Sequence, residues 1–335
     1  MGDVRPPATI AIPVDHVSAA HVAARTARAL AADAGLPGVL PEHAAVIASE
    51  LAGNLDKHAH DGVVHLQRLL VGVGVEIVSS DRGPGMTDLR RCLTDGHTTT
   101  GTLGVGLGAV QRMSSDFVIT TEPGEGTLAA ATLRAPGEPA HRDVALGHVL
   151  LPAAGEEHSG DTVAVHEEPD ATTLLLVDGL GHGEAAGEAA LTAADVFHRD
   201  PARPVREVMR ALHRGIRHTR GAAAAVVRVG ATRLDFCGIG NITTAVLTGT
   251  RNHHLLSRPG VVGLRVDEPT EHRVDLPPGS TVVMHSDGVD GRWLLASPAH
   301  RPQPPPLLAA HLLRDHRNHR DDAAVLVARP RARAE

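Results

Sequence analysis

Leu174-Leu175-Leu176-Val177-Asp178-Gly179-Leu180-Gly181-His182-Gly183 is the stretch whose reading decides the C-terminal half of the chain. Four apolar residues in a row suit a strand covered on both faces, and Asp178 then puts a carboxylate at the rim of the sheet. Glycines at 179, 181 and 183 free the backbone to adopt φ > 0 and bring its carbonyls close to a ligand. Soft ligands are missing from the turn, so its natural guest is a hard, oxygen-seeking cation; an αβ turn with an incidental aspartate is the plainer alternative.

Working outward, the same signature recurs. Upstream lies Ser159-Gly160-Asp161; downstream, Val282-Val283-Met284-His285-Ser286-Asp287-Gly288 is another apolar strand ending in Asp-Gly. Asp321-Asp322 directly precedes the apolar run Ala323-Ala324-Val325-Leu326-Val327. In this order the motifs resemble those of the metal-dependent PPM-type Ser/Thr protein phosphatases, in the SpoIIE-like branch, over residues 143–330. The resemblance implies an α-β-β-α sandwich and a pair of Mn²⁺ or Mg²⁺ ions. It implies catalytic roles for Asp178 and Asp161, and a metal-ligand set of Asp161, Asp178, the Gly179 carbonyl, Asp287 and Asp321, with Asp322 the alternative at the last position. His182 then either positions the leaving group or braces the turn. A water activated between two ions needs no covalent phosphoenzyme.

Composition narrows the alternatives. A chain of 335 residues suggests two domains, and 42% hydrophobic residues support packed cores. Aromatics are 1%, so the cores must be built from Ala, Val, Leu and Ile, and base-stacking platforms for single-stranded nucleic acid are absent. A net charge of −7 leaves no electrostatic footprint for a phosphate backbone, so no nucleic-acid partner is expected. Cys92 and Cys237 stand alone, which excludes a disulfide framework or a Cys-rich zinc site. With no apolar leader and no 18-residue apolar run, the expectation is a cytoplasmic protein without membrane attachment.

In the N-terminal third, Asp15–Ala34 has helical spacing with Asp15 as a candidate N-cap and Gly35 as C′. A second helix opens at Pro41 and runs to about His60. Its apolar stripe is Ala44, Ile47, Ala48, Leu51 and Leu55; beside it Glu50, Asn54, Lys57 and His58 share a face and can address one ligand, or simply form a solvated face. Two strands are expected at Val63–Leu70 and Val71–Val78. The second leads to Asp81-Arg82-Gly83-Pro84-Gly85, where an aspartate can accept from an exocyclic amine and glycines let a ring approach. Gly101-Thr102-Leu103-Gly104-Val105-Gly106-Leu107-Gly108 then opens a helix, offering bare N–H groups to phosphate.

Together with the hairpin Phe117–Arg134 and its Gly126-Thr127, these motifs resemble the GHKL ATPases over residues 8–135, most closely the anti-sigma-factor serine kinases. The resemblance implies a Bergerat-type α/β sandwich, helices on one face of a mixed sheet, and ATP with Mg²⁺. It carries Mg²⁺ binding to Asn54, the base or water-positioning role to Glu50 and adenine reading to Asp81. Gly83, Gly85, Lys57, Gly104, Gly106, Leu107, Gly108 and Thr127 fall to the rest of the nucleotide. Residues 136–142 read as a linker. The overall expectation is an α+β chain that phosphorylates and dephosphorylates a STAS-type anti-sigma antagonist, with a sigma factor as a further partner. The competing readings are a phosphatase whose first domain only senses ATP or a partner, and a non-catalytic adaptor.

Overall fold

In the computed structural model, which describes residues 8–93, 106–139, 143–249, 251–295 and 303–331, the chain separates into two units, Thr9–Ala140 and a second beginning at His141. No helix among the described residues is long and apolar enough to cross a membrane.

The first unit runs β1 (Ile10–Val14), α1 (Ser18–Asp33), α2 (Leu40–His58), β2 (Gly62–Arg68), β3 (Gly74–Ser80), α3 (Leu89–Cys92), α4 (Gly106–Met113), β4 (Asp116–Glu122) and β5 (Gly126–Arg134). Its strands form one sheet in the order β1-β2-β3-β5-β4. Alanines at 23, 27 and 31 let α1 lie close to α2, and Ile47 and Leu51 reach between them to Leu66, Ile77 and Leu133 on the sheet. Because alanine buries little area, these larger side chains supply most of the apolar stabilisation, at roughly 1.5–3 kcal/mol each. Three expectations are corrected here. Every strand pair in the sheet is antiparallel, where the family resemblance implies a mixed one. Asp15 does not cap α1: the helix starts at Ser18, whose N–H donates to His16 Nδ1 at 3.2 Å. The strand β1 carries too short an apolar pattern to stand out, and the reversal after β2 takes residues 69–73, so β3 runs on to Ser80 and leaves Asp81 just past its end.

The second unit holds β6 (Val144–Leu151), β7 (Asp161–Glu168), β8 (Ala171–Gly179), α5 (Glu184–Arg199), α6 (Val205–Gly215), β9 (Ala222–Gly230), β10 (Arg233–Ile239), β11 (Thr243–Leu247), β12 (Asn252–Leu255), the short ribbon β13 (Gly260–Val261) and β14 (Arg265–Val266), β15 (His272–Asp275), β16 (Thr281–His285), a 3₁₀ turn at Gly291–Leu294, α7 (Pro305–His316) and β17 (Ala323–Pro330). Two five-stranded sheets result, β15-β10-β9-β8-β7 and β12-β11-β16-β17-β6. Leu175, Val177, Val226 and Cys237 on one face of the first sheet pack under α5 and α6. Val283, Val325 and Val327 of the second pack under α7. Leu174 and Leu176, on the opposite face of β8, are fully buried too, as are Val282 and Leu326. The two sheets therefore lie face to face, and the layers read α-β-β-α. This double cover is why β8 reads as an unbroken apolar run.

Candidate active site

Register brings the first two aspartates together. Strands β7 and β8 pair antiparallel with Asp161 directly opposite Asp178. Directly opposed side chains stand about 5 Å apart, where two unit charges at an effective dielectric near 20 repel by roughly 3 kcal/mol. Nothing in the packing of a strand rewards that arrangement, so a cation is its natural counterpart. The chain leaves β8 through Gly181 and Gly183, both at positive φ (+85° and +76°), and enters α5 at Glu184.

The second sheet delivers the remaining carboxylates. At the end of β16, Ser286 donates from Oγ to Asp161 Oδ2 at 2.6 Å while its Oγ accepts from Ala324 N at 3.0 Å, tying the two sheets at this end. Asp287 Oδ2 accepts from Asn241 Nδ2 at 2.6 Å. The following Gly288 has no alternative: a Cβ there would stand 1.8 Å from the carbonyl oxygen of Asp322. Asp322 itself accepts from Ala153 N and Gly160 N, both at 2.8 Å, so each of its oxygens is engaged by the backbone. Asp321 Oδ1 accepts from the N–H of Asp322 at 3.0 Å.

Burial, then the charge of Asp178, holds the Asp161 carboxyl well above its usual range against the opposing hydrogen bond from Ser286. Burial followed by Asp287, Asp321 and Asp322 pushes Asp178 up to about 8. Asp322 is raised by burial, with the Ala153 and Gly160 N–H groups acting in the other direction. Among the described residues no three His, Cys, Asp or Glu side chains already close around one point. These carboxylates are turned instead to nearby donors, and Asp178 and Asp287 share a hydrogen bond. An all-oxygen set of mutually repelling, desolvated carboxylates fits hard divalent cations, and fits soft or redox metals poorly.

Around this centre stand His182 and, with it, residues that the sequence alone did not single out, Glu156 and Trp293 among them. His182 Nδ1 meets Glu156 Oε1 at 2.7 Å, so the exposed imidazole is oriented by a carboxylate. Buried His285 donates from Nδ1 to the Ser286 carbonyl at 2.8 Å and accepts from Trp293 Nε1 at 3.1 Å, a tautomer that its burial, lowering its pKa to about 4, keeps neutral. Asn241 donates its amide N–H to Asp287. Asp290 and Arg292 pair with each other, and Asp290 caps the 3₁₀ turn. Cys237 is buried, its thiol pushed up to about 12, in keeping with a small core residue.

In the first unit, Glu50, Asn54 and Lys57 share a face of α2 turned from its buried stripe, with Asn54 half-buried and Lys57 exposed. The turn after β3 is fastened to the end of that helix: Arg82 N donates to His60 O at 2.9 Å. Asp81 is 6% exposed, and its Oδ1 accepts from Gly83 N at 2.7 Å. At Gly83 and Gly85 the room a Cβ would need is taken by the chain itself, by Asp81 Oδ1 and His58 O at the first and Glu122 O at the second. Thr127 Oγ1 lies 3.0 Å from Thr121 Oγ1. Gly106, at φ +47°, starts α4, with Leu107 and Gly108 buried in its first turn. Gly104 lies outside the described residues.

Residues 168–331 match the Stage II sporulation protein E (SpoIIE) family, and residues 12–132 match the histidine kinase-like ATPase domain family. Over 81 residues the chain is 37% identical to the serine/threonine-protein kinase RsbT of Bacillus subtilis (strain 168), an alignment covering 24% of this chain and 61% of RsbT. The chain thus spans less than two thirds of that relative's length. A solved structure from a study of the bacterial stressosome, described as a modular system adapted to control secondary messenger signaling, is similar with a TM-score of 0.51 and 26% identity, over 56% of this chain and 100% of the other. The crystal structure of RsbX in complex with magnesium is similar at a TM-score of 0.49 and 16% identity, over 56% and 96%. The chain therefore joins a domain of the histidine kinase-like ATPase family, residues 12–132, to a domain of the SpoIIE family, residues 168–331.

Proposed function

We propose that this chain is a bifunctional regulator whose first domain transfers phosphate from ATP to a serine of a STAS-type anti-sigma antagonist and whose second removes it. The observation that carries the phosphatase half is the pairing of Asp161 with Asp178 across β7 and β8, beside Asp287 and Asp321. Two divalent cations, Mn²⁺ or Mg²⁺, would supply the positive charge that acidifies a water and neutralises phosphate oxygens. Asp161, Asp178, the Gly179 carbonyl, Asp287 and Asp321 hold them in this reading. Asp322, with both oxygens on backbone N–H groups, ties the Ala153 and Gly160 segments to the site instead. Asn241 and Ser286 aim Asp287 and Asp161. Glu156 fixes the His182 ring so that its Nε2 can give a proton to the departing serine oxygen.

In the first domain, Asn54 would hold the nucleotide's Mg²⁺, Glu50 would accept the serine proton and Asp81 would read adenine, with Lys57, Thr127, Gly106 and Gly108 left for the phosphates. The likeness to RsbT supports the kinase activity, and the RsbT and stressosome likenesses support a STAS-type substrate. In this reading both reactions take place in the cytoplasm. The test incubates the full chain with labelled ATP and STAS proteins, then adds Mn²⁺. Label should enter the STAS protein and leave as inorganic phosphate. No transfer of label would reduce the first domain to a nucleotide sensor, and no Mn²⁺-dependent release would end the phosphatase reading.

A further inference from the structure

The segment between α6 and β9 is locked against the catalytic turn. Thr219 Oγ1 donates to Ile216 O at 2.7 Å and accepts from Gly221 N at 3.1 Å, and Gly221 O in turn accepts from Leu180 N at 3.1 Å. This fixes Arg220 beside the loop between Asp178 and His182. Its Nη1 lies 3.3 Å from where a Cβ on Gly181 would stand, while the carbonyl of Gly181 lies 3.3 Å from the same point on Gly160, the residue before Asp161. The guanidinium and the acidic centre thus touch one short turn.

Arg220 is exposed and, among the described residues, has no ion pair, whereas Arg210, Arg228, Arg273 and Arg292 each lean on a carboxylate. An unpaired guanidinium on a rigid loop keeps its planar fork available for a planar or tetrahedral anion. The charge balance calls for one. Two divalent cations only neutralise the four carboxylates Asp161, Asp178, Asp287 and Asp321, so an arriving phosphomonoester dianion would still lack a counter-charge. We infer, resting on the phosphatase reading above, that Arg220 binds the phosphoryl oxygens of the substrate and sets its affinity.

The test measures full-chain wild type, Arg220→Ala and Arg220→Lys with Mn²⁺. Calorimetry follows the binding of Mn²⁺ and then of inorganic phosphate, and steady-state kinetics follow a phosphoseryl peptide. In Arg220→Ala we expect KM and the phosphate dissociation constant both to rise at least tenfold, kcat to change less than threefold and Mn²⁺ affinity to hold. Lysine, a point charge without the fork, should recover part of the loss. Phosphate affinity and KM within twofold of wild type would overturn the inference, as would a fall in Mn²⁺ affinity or melting temperature that accounts for the loss. A wild type that binds phosphate but never releases it from peptide would defeat the phosphatase reading alone, since phosphate binding still reports on Arg220.

Discussion

Replacing Asp178 with asparagine should abolish Mn²⁺-dependent phosphate release and, in chelator, make the second unit more stable. Both effects follow from one crowded carboxylate. Burial, then Asp287, Asp321 and Asp322, moves the Asp178 pKa from 3.8 to about 8. A folded-state pKa raised above the unfolded one means the native state holds its proton longer. Ion-free stability from this group is therefore complete below the unfolded value and is lost as pH climbs from about 4 to about 8. At about 1.4 kcal/mol per pKa step the ceiling on that loss is roughly 6 kcal/mol. Partial exposure and shared titration with Asp161 reduce it to about 2 kcal/mol. In a unit of this size such a gain raises the melting temperature by about 4–8 °C. The assay is thermal melting of wild type and Asp178→Asn at pH 7.5, in chelator and in millimolar Mn²⁺. Without metal the variant should melt higher; with Mn²⁺ the order should reverse, because only the wild type gains binding energy. A variant that melts lower in chelator, or that still releases phosphate with Mn²⁺, would refute the account of this site.

Ser286→Ala removes the donor to Asp161 Oδ2 and the acceptor for Ala324 N, so calorimetry should show Mn²⁺ affinity falling about tenfold and melting should register a loss of about 1–3 kcal/mol. Gly288→Ala would drive a Cβ to 1.8 Å from the Asp322 carbonyl, and the second unit should lose its cooperative melt; a normal melt would show that the two acidic loops are not pressed together. In a Cys92→Ser background, Cys237 should resist a disulfide reagent until denaturant is added, since burial keeps its thiol protonated. Rapid native labelling would contradict the packing of β10 under α6.

The acidic motifs were legible because each flanks an apolar run: Asp178 and Asp287 follow one, and Asp161 and Asp321-Asp322 precede one. It was the family resemblance that grouped Asp161, Asp178, Asp287 and Asp321 as one set. What it could not reveal were partnerships between distant segments. Glu156 meets His182 and Ser286 meets Asp161 through pairings that only the folded sandwich creates. Gly288 belongs to the same class, since its lack of a side chain serves a neighbouring loop and not its own turn. Likewise the glycines at 83 and 85 suggest room for a ring, yet the nearest claim on their space comes from Asp81, His58 and Glu122. β1 escaped notice because five residues with a proline among them carry too little periodicity to be told from a coil.

The hydrogen bond from Trp293 to His285 has a practical use. Trp293 is the sole indole in the chain, and it is clasped to a ring two positions before Asp287. Its emission therefore comes from a single, solvent-shielded fluorophore beside the second sheet's aspartates. Titrating Mn²⁺ or phosphate while watching that one signal would follow occupancy of this end of the protein with no dye attached.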